Sequence, residues 1–343
     1  MPRVLVATLV ALIISIVAGP KFIAFLRGNE FGQQIREEGP SHHQVKQGTP
    51  VMGGLLIVLS ALVAFLLLSH YTWAALTVVF VTLSCSAIGF TDDLIKITHQ
   101  RSLGLSGRWK LLWMVGITVA VGWLTHHFHL AHEREVFIPF TDRWLDLSWG
   151  WYALLFLIIA GAANGVNLTD GLDGLAAGTG TIALFTFTAM SVFSYVRSSP
   201  GAANLRDVNK LDMAIWGAAL IGGAIGFLWF NAFPAEVFMG DTGSMALGGA
   251  IATLAILTET EVLLVFIGGV FVIEAVTWII QIATFKRTGR RVFLIVPIHH
   301  HFEMKAWSET KIMVRFWIVT AILAAAGFAL YYAYYLPALR TLR

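Results

Sequence analysis

Charge is what this sequence has least of. Of its 343 residues only 13% are Asp, Glu, Lys or Arg, against the roughly 25% that a soluble domain uses to keep its surface in water. That shortage excludes an ordinary soluble globular chain. Cysteine is nearly absent too. The single Cys85 sits inside an apolar run, which excludes an intramolecular disulfide and a cysteine-based metal site. Low-complexity tracts and repeats of fixed period are missing. No G-x-x-x-x-G-K-[ST] string occurs, which argues against an ATP-driven pump, and no nucleic-acid partner is expected.

What is present is apolar. Hydrophobic residues make up 57% of the chain and mean hydropathy is +0.75. They fall in runs about 20 residues long, the length that crosses a hydrocarbon core as a helix. The expectation is an all-α polytopic membrane protein forming one integral membrane domain over 1–343, with about ten transmembrane helices. The spans are expected near 4–26, 51–69, 73–91, 111–127, 149–166, 174–194, 212–230, 244–258, 262–284 and 314–335. Arg3 precedes the first, which superficially resembles a signal peptide, but no clear cleavage pattern follows Ala18-Gly19. It is read as an anchor.

Basic residues set the expected orientation. The loops 27–49, 92–110, 167–171, 231–243 and 285–313 carry 13 Lys and Arg, and the opposite loops with both termini carry 8. Positive residues favour the cytoplasm, so the first set is expected to be cytoplasmic and both termini outside. The outer loops, with His132-Glu133-Arg134-Glu135, Asp142, Asp146 and Ser198-Ser199-Pro200-Gly201, read as solvated connectors.

The cytoplasmic loops hold compact polar strings instead. In Gly89-Phe90-Thr91-Asp92-Asp93-Leu94-Ile95-Lys96, adjacent acids on a helix diverge by about 100°. Lys96 falls at i+4 from Asp92, within pairing reach. Asn164 to Leu175 carries Asp170 and Asp173 with no Lys or Arg; the two acids share a face if the segment is helical. Uncompensated carboxylates at a membrane interface are costly and commonly mark a site. Asn231 to Ser244 places Asp241 between Gly240 and Gly243, where it reads either as a site residue or as a helix N-cap.

In the longest connection Lys286, Arg287, Arg290 and Arg291 read as topology signal or headgroup contact. The following Pro297-Ile298-His299-His300-His301-Phe302-Glu303 lacks a spaced metal-ligand set, so phosphate contact or proton transfer suits it better. His42-His43-Gln44-Val45-Lys46 leads into Gly48-Thr49-Pro50-Val51-Met52-Gly53-Gly54, where glycines permit close backbone approach and Lys46 offers a point charge to phosphate. Glu274 and Gln281, seven apart within a span, lie on one helix face.

Carboxylates gathered at one membrane face repel one another unless a cation sits among them. Hard oxygen ligands suit Mg²⁺ bridging to substrate phosphates, with Lys and His neutralising the rest of a pyrophosphate. This reading is phosphoryl transfer at the cytoplasmic interface.

The strings GTPVMGG, DDLIK, NLTDGLDGL, FMGDTGS and PIHHHFE, in this order, resemble the phospho-N-acetylmuramoyl-pentapeptide-transferase family. That family lies within the polyprenyl-phosphate N-acetylhexosamine-1-phosphate transferase superfamily. The resemblance covers essentially the whole chain, and the triple histidine with Phe-Glu separates this branch from relatives using N-acetylglucosamine donors. It implies Mg²⁺-dependent transfer of phospho-MurNAc-pentapeptide from UDP-MurNAc-pentapeptide to undecaprenyl phosphate in the bilayer, giving UMP and lipid I, the first membrane-bound peptidoglycan precursor. It further implies a multi-pass protein of the bacterial inner membrane, a cytoplasmic active site and a homodimer.

By the same resemblance Asp241 is the metal ligand, Asp92 and Asp93 are essential acids near the lipid phosphate, and His300 joins them as a catalytic residue. Asn231, His299 and His301 line the site, and Lys46, Lys96 and Lys110 contact phosphates. Leu168, Asp170, Phe238 and Gln281 form or border the nucleoside pocket, supported by Asn167 and Asp173. One position departs from the family's usual GTPTMGG, since Val51 replaces the second threonine. Either Asp92 readies the lipid phosphate for direct attack or Asp241 attacks first; a metal-bound carboxylate is a poor nucleophile, which favours the direct route. The competing readings are a related transferase using UDP-GlcNAc and a secondary transporter with Glu274 as its ion site.

Overall fold

The computed structural model describes residues 1–29, 48–100, 103–132, 134–141, 143–199 and 205–337. In chain order these form α1 (Pro2–Gly28), α2 (Gly54–Leu68), α3 (Trp73–Thr98), α4 (Gly107–Phe128), β1 (Glu135–Ile138) and β2 (Arg143–Asp146). There follow α5 (Gly150–Thr169), α6 (Leu175–Ser198), α7 (Val208–Asn231), α8 (Gly240–Leu257), α9 (Leu264–Ile267) and α10 (Gly269–Thr288). The last elements are α11 (Ile298–Glu303), α12 (Glu309–Leu330) and a π-turn over Tyr331–Tyr335.

Long apolar runs fold this way because hydrocarbon offers backbone groups no hydrogen bonds, whereas a helix satisfies them internally. Among the described residues nine helices are long and apolar enough to cross a membrane, and the 15-residue α2 is a shorter apolar helix where the second span, 51–69, is expected. The protein is therefore an all-α polytopic membrane protein. Its exposed large side chains, among them Leu5, Val17, Leu67, Leu157, Trp229 and Ile322, are what a lipid-facing surface requires.

At the centre stand α7 and α8. Every residue of α8 from Thr242 to Leu257 is buried. α3 lies along one side of α8 and α5 along another, while α1, α2 and α6 surround α7 and α12 packs outside α6. Asp212 of α7 accepts hydrogen bonds from the Ser69 hydroxyl (2.8 Å), the His70 N–H (2.8 Å) and the Thr72 N–H (2.9 Å), which fastens the α2–α3 turn and compensates a fully buried acid.

Three details differ from the sequence expectation. The span expected at 262–284 is interrupted at Gly268, separating the single turn of α9 from α10. The connector after α4 contains an antiparallel hairpin with Glu135 opposite Asp146, and the Tyr335 hydroxyl ties it to the bundle by donating to the Phe137 carbonyl at 3.1 Å. Helix α3 does not end near residue 91 but runs to Thr98, so the segment expected to open a loop is helical. That extension gives Asp92, Asp93 and Lys96 fixed directions.

Candidate active site

The site begins where α3 crosses the first turn of α8. The crossing is close: a Cβ added to Gly89 would lie 2.0 Å from the Asp241 carbonyl oxygen. One turn further along α3, Asp93 is buried and reaches the start of α8. Its Oδ1 accepts the Asp241 N–H (3.1 Å), and its Oδ2 accepts the Thr242 N–H (2.9 Å) and hydroxyl (2.6 Å). A helix start leaves N–H groups without partners in their own helix. Here an acid from a neighbouring helix supplies them. Asp241 is thus not the cap of α8; its own carboxylate points to lysines.

Those lysines knit the cluster together. Lys96 Nζ lies 2.6 Å from Asp92 Oδ2 and 3.1 Å from Asp241 Oδ1. Lys110, on the first turn of α4, lies 2.9 Å from Asp92 Oδ1 and 2.9 Å from Asp241 Oδ2. Asp92 Oδ1 also accepts the Leu105 N–H at 2.7 Å. Three carboxylates therefore face two ammonium groups, leaving a formal excess of one negative charge. One oxygen from each of Asp92, Asp93 and Asp241 lies within 4.8 Å of the others, a spacing compatible with a divalent cation. The donor set also fits, since all three ligands are hard oxygens. Asp92 Oδ2, although close to Lys96, has no directed hydrogen bond.

Two loops form the neighbouring wall. α5 ends at Thr169, so Asp170 and Asp173 lie in a turn and not on one helix face, contrary to the helical alternative. Glycines at 171 and 174 allow that turn, with Gly174 at φ +74°. Asp170 is hydrogen-bonded by the Gly240 backbone, and burial pushes its carboxyl up to about 8, with the Asp241 and Asp93 charges adding to the shift. Asp173 Oδ2 accepts the Ala235 N–H at 3.0 Å. Asn231 Oδ1 accepts the Gly174 N–H (3.0 Å) while its Nδ2 donates to the Val237 carbonyl (2.9 Å); the two loops are tied by this amide. Asn167 donates to the Ser244 hydroxyl at 3.0 Å. Leu168, on the last turn of α5, and Phe238 are half-buried.

The GTPVMGG segment joins the same wall through its backbone. The Phe238 N–H donates to the Pro50 carbonyl (2.8 Å), and the Gly53 and Gly54 N–H groups donate to the Phe238 and Met239 carbonyls (2.9 Å each). A Cβ at Gly54 would meet the Gly243 Cα at 2.2 Å. Val51 places a methyl group beside Gly240. Lys46 lies outside the described residues.

The histidines ride on α11. His299 is fully buried, with Nδ1 2.9 Å from Glu274 Oε1. His300 bonds through Nδ1 to Glu303, and the His301 Nδ1 accepts the Leu294 N–H at 3.1 Å; partial burial and nearby Lys305 hold the His301 imidazole below its ordinary pKa. A Cβ at Gly171 would stand 2.3 Å from His299 Nε2 and 3.2 Å from His300 Nε2, so α11 leans on the Asp170 turn. Gln281 is engaged with protein backbone: it accepts from the Val292 and Phe293 N–H groups (3.0 Å each) and donates to the Phe293 carbonyl (3.2 Å).

Comparison with known proteins decides what this arrangement belongs to. The description Glycosyl transferase family 4 matches residues 75–259, which contain Asp92, Asp93, Asp170 and Asp241. The phospho-N-acetylmuramoyl-pentapeptide-transferase of Bacillus subtilis (strain 168) is 44% identical over 94% of this chain and 96% of its own length. That of Halalkalibacterium halodurans is 45% identical over 94% and 96%, and that of Frankia alni 44% identical over 98% and 99%. The chain belongs to the phospho-N-acetylmuramoyl-pentapeptide-transferase family. It is a membrane-embedded transferase, and family membership sets it among nucleotide-sugar and polyprenyl-phosphate chemistry. Relative to the family motifs, sequence reasoning passed over Thr242 and Leu105, which hold Asp93 and Asp92. It also passed over Ser244, the partner of Asn167. Thr242 and Ser244 stand inside FMGDTGS, so their position in the motif is the available signal. Leu105 acts through its backbone and carries none.

Proposed function

We propose that this transferase moves phospho-MurNAc-pentapeptide from UDP-MurNAc-pentapeptide to undecaprenyl phosphate, releasing UMP and leaving lipid I in the inner membrane. The observation that carries the reading is the Asp92–Asp93–Asp241 cluster bridged by Lys96 and Lys110, in a chain of this family. The whole of 1–343 acts as one membrane domain, with this cluster on the cytoplasmic side, both termini outside, and a homodimer as the assembly.

Asp241 would hold Mg²⁺, with oxygens of Asp92 and Asp93 within 4.8 Å of its own. When bound, the ion supplies positive charge to the pyrophosphate of the donor. Lys96 and Lys110 then turn from carboxylates to phosphate oxygens, and Lys46 adds a further charge. Asp92 orients the lipid phosphate and takes its proton if it arrives protonated, so that the phosphate oxygen attacks the phosphorus bonded to the sugar and UMP leaves. Asp93 fixes Asp241 by holding the first turn of α8. Asp170, Leu168, Phe238 and Gln281 border the nucleoside, supported by Asn167 and Asp173, while Asn231 and the three histidines close the side toward α11.

The test is UMP release in detergent with both substrates and Mg²⁺. EDTA is expected to abolish release and added Mg²⁺ to restore it. Asp241→Asn is expected to lower the rate at least 100-fold, the scale on which removing one electrostatic stabiliser acts. Full activity of Asp241→Asn in Mg²⁺ contradicts the metal assignment.

A further inference from the structure

Glu274 lies within α10, fully buried, and both its oxygens are occupied. Oε2 accepts the Ile298 N–H at 2.8 Å, and Oε1 lies 2.9 Å from His299 Nδ1. The first bond fastens the start of α11; the second fixes the ring that follows it. With Oε2 accepting the Ile298 N–H, the arrangement in which Oε1 also accepts puts the hydrogen between the two side chains on His299 Nδ1. That choice leaves Nε2 as the lone-pair atom. His299 Nε2 is itself buried and has no hydrogen-bond partner. It faces the 170–171 turn at close range, where a Cβ at Gly171 would stand 2.3 Å from it.

A buried polar atom without a partner is costly. The expense is explicable where a ligand completes the bond, and the Asp170 turn is the wall on which the nucleotide is placed. We infer that Glu274 is a positioning residue: it locks His299 in the Nδ1–H form and presents Nε2 as the acceptor for a hydroxyl of the bound nucleotide sugar. The role rests on the function proposed above, because the hydroxyl belongs to that substrate. It differs from the ion-site reading of Glu274, in which the carboxylate itself binds cargo. An analogous carboxylate behind a metal-bound histidine fixes tautomer and ring angle, and its loss costs roughly 10- to 100-fold.

Two measurements on the full-length protein in detergent test this. With ¹⁵N-labelled histidine, the His299 resonances are assigned by their loss in His299→Gln. The wild type is expected to show a protonated, pyrrole-type Nδ1 and an unprotonated Nε2. A neutral ring protonated on Nε2 overturns the proposal, and so does an imidazolium at neutral pH. The second measurement is a double-mutant cycle on UMP release. Glu274→Gln presents an NH₂ group that cannot satisfy both Ile298 N–H and His299 Nδ1–H, and it is expected to lower kcat roughly 10- to 100-fold. Combined with His299→Gln it is expected to add nothing, because the two act as a unit. Multiplying effects, or an unchanged rate in Glu274→Gln, overturn the proposal. Wild-type protein that releases no UMP refutes the proposed reaction instead, and the NMR result still judges the tautomer.

Discussion

Asp93 and Asp241 stand on facing helices in one cluster, yet their oxygens do different work, and substitution separates them. In Asp93→Ala the N–H groups of Asp241 and Thr242 and the Thr242 hydroxyl lose their acceptor, at present 3.1, 2.9 and 2.6 Å away. A hydrogen bond contributes about 0.5–1.5 kcal/mol net, and a buried donor left without its acceptor costs about 1–3 kcal/mol. The three are not additive and the hydroxyl can turn elsewhere, so the expected loss is about 3–5 kcal/mol. By the scaling of soluble domains this lowers the unfolding midpoint by on the order of 10 °C. Asp241→Asn leaves those bonds in place. It removes one of three clustered negative charges from a side chain 14% exposed, so its midpoint is expected within a few degrees of wild type. The assay is thermal unfolding in one detergent, followed by tryptophan fluorescence, with UMP release measured on the same samples. Both variants are expected to lose activity, and only Asp93→Ala to lose stability. A wild-type midpoint for Asp93→Ala refutes the capping role, and an equal fall in Asp241→Asn refutes the separation.

Gly89→Ala drives a methyl group toward the Asp241 carbonyl oxygen, 2.0 Å from the Cβ position, and overpacking of this kind costs about 1–3 kcal/mol. UMP release is expected to fall steeply, whereas Gly116→Ala, with nothing within 4 Å of its Cβ position, is expected to match wild type. On the opposite face, burial pushes the Glu261 carboxyl up from 4.5 to about 8, with the Glu259 charge adding to it. The folded form therefore holds a proton that the unfolded chain releases above pH 4.5. Its contribution to stability is complete below about pH 4.5 and lost as pH rises through 8. Glu261→Gln is expected to flatten the fall in unfolding midpoint across that window, and an unchanged slope contradicts the assignment. Part of the slope remains in that variant, because His132, raised by its hydrogen bond to Glu259, loses stabilisation in the same direction as it deprotonates.

The spans were legible because hydrocarbon imposes a length and a composition that no soluble fold mimics. The motif strings were legible because acids grouped at span ends are costly in an apolar chain and so stand out from it. Which carboxylate performs which task was not. Asp92 and Asp93 are indistinguishable in sequence, and only the path of α3 to Thr98 directs one to lysines and the other to the start of α8. The 170–174 turn was open for a similar reason, since a spacing of three fits a helix, and the break after Thr169 depends on Asn231 and Gly240 from distant segments. Glu274 stood out as an acid within a span, but its partner, His299, is 25 residues away on a helix too short to announce itself.

The most direct test of the proposed reaction is a two-donor comparison. Purified protein is given undecaprenyl phosphate, Mg²⁺ and either UDP-MurNAc-pentapeptide or UDP-GlcNAc, and UMP is measured in each. Release with UDP-MurNAc-pentapeptide alone, abolished by chelation, is the predicted result. Release with UDP-GlcNAc alone would contradict it.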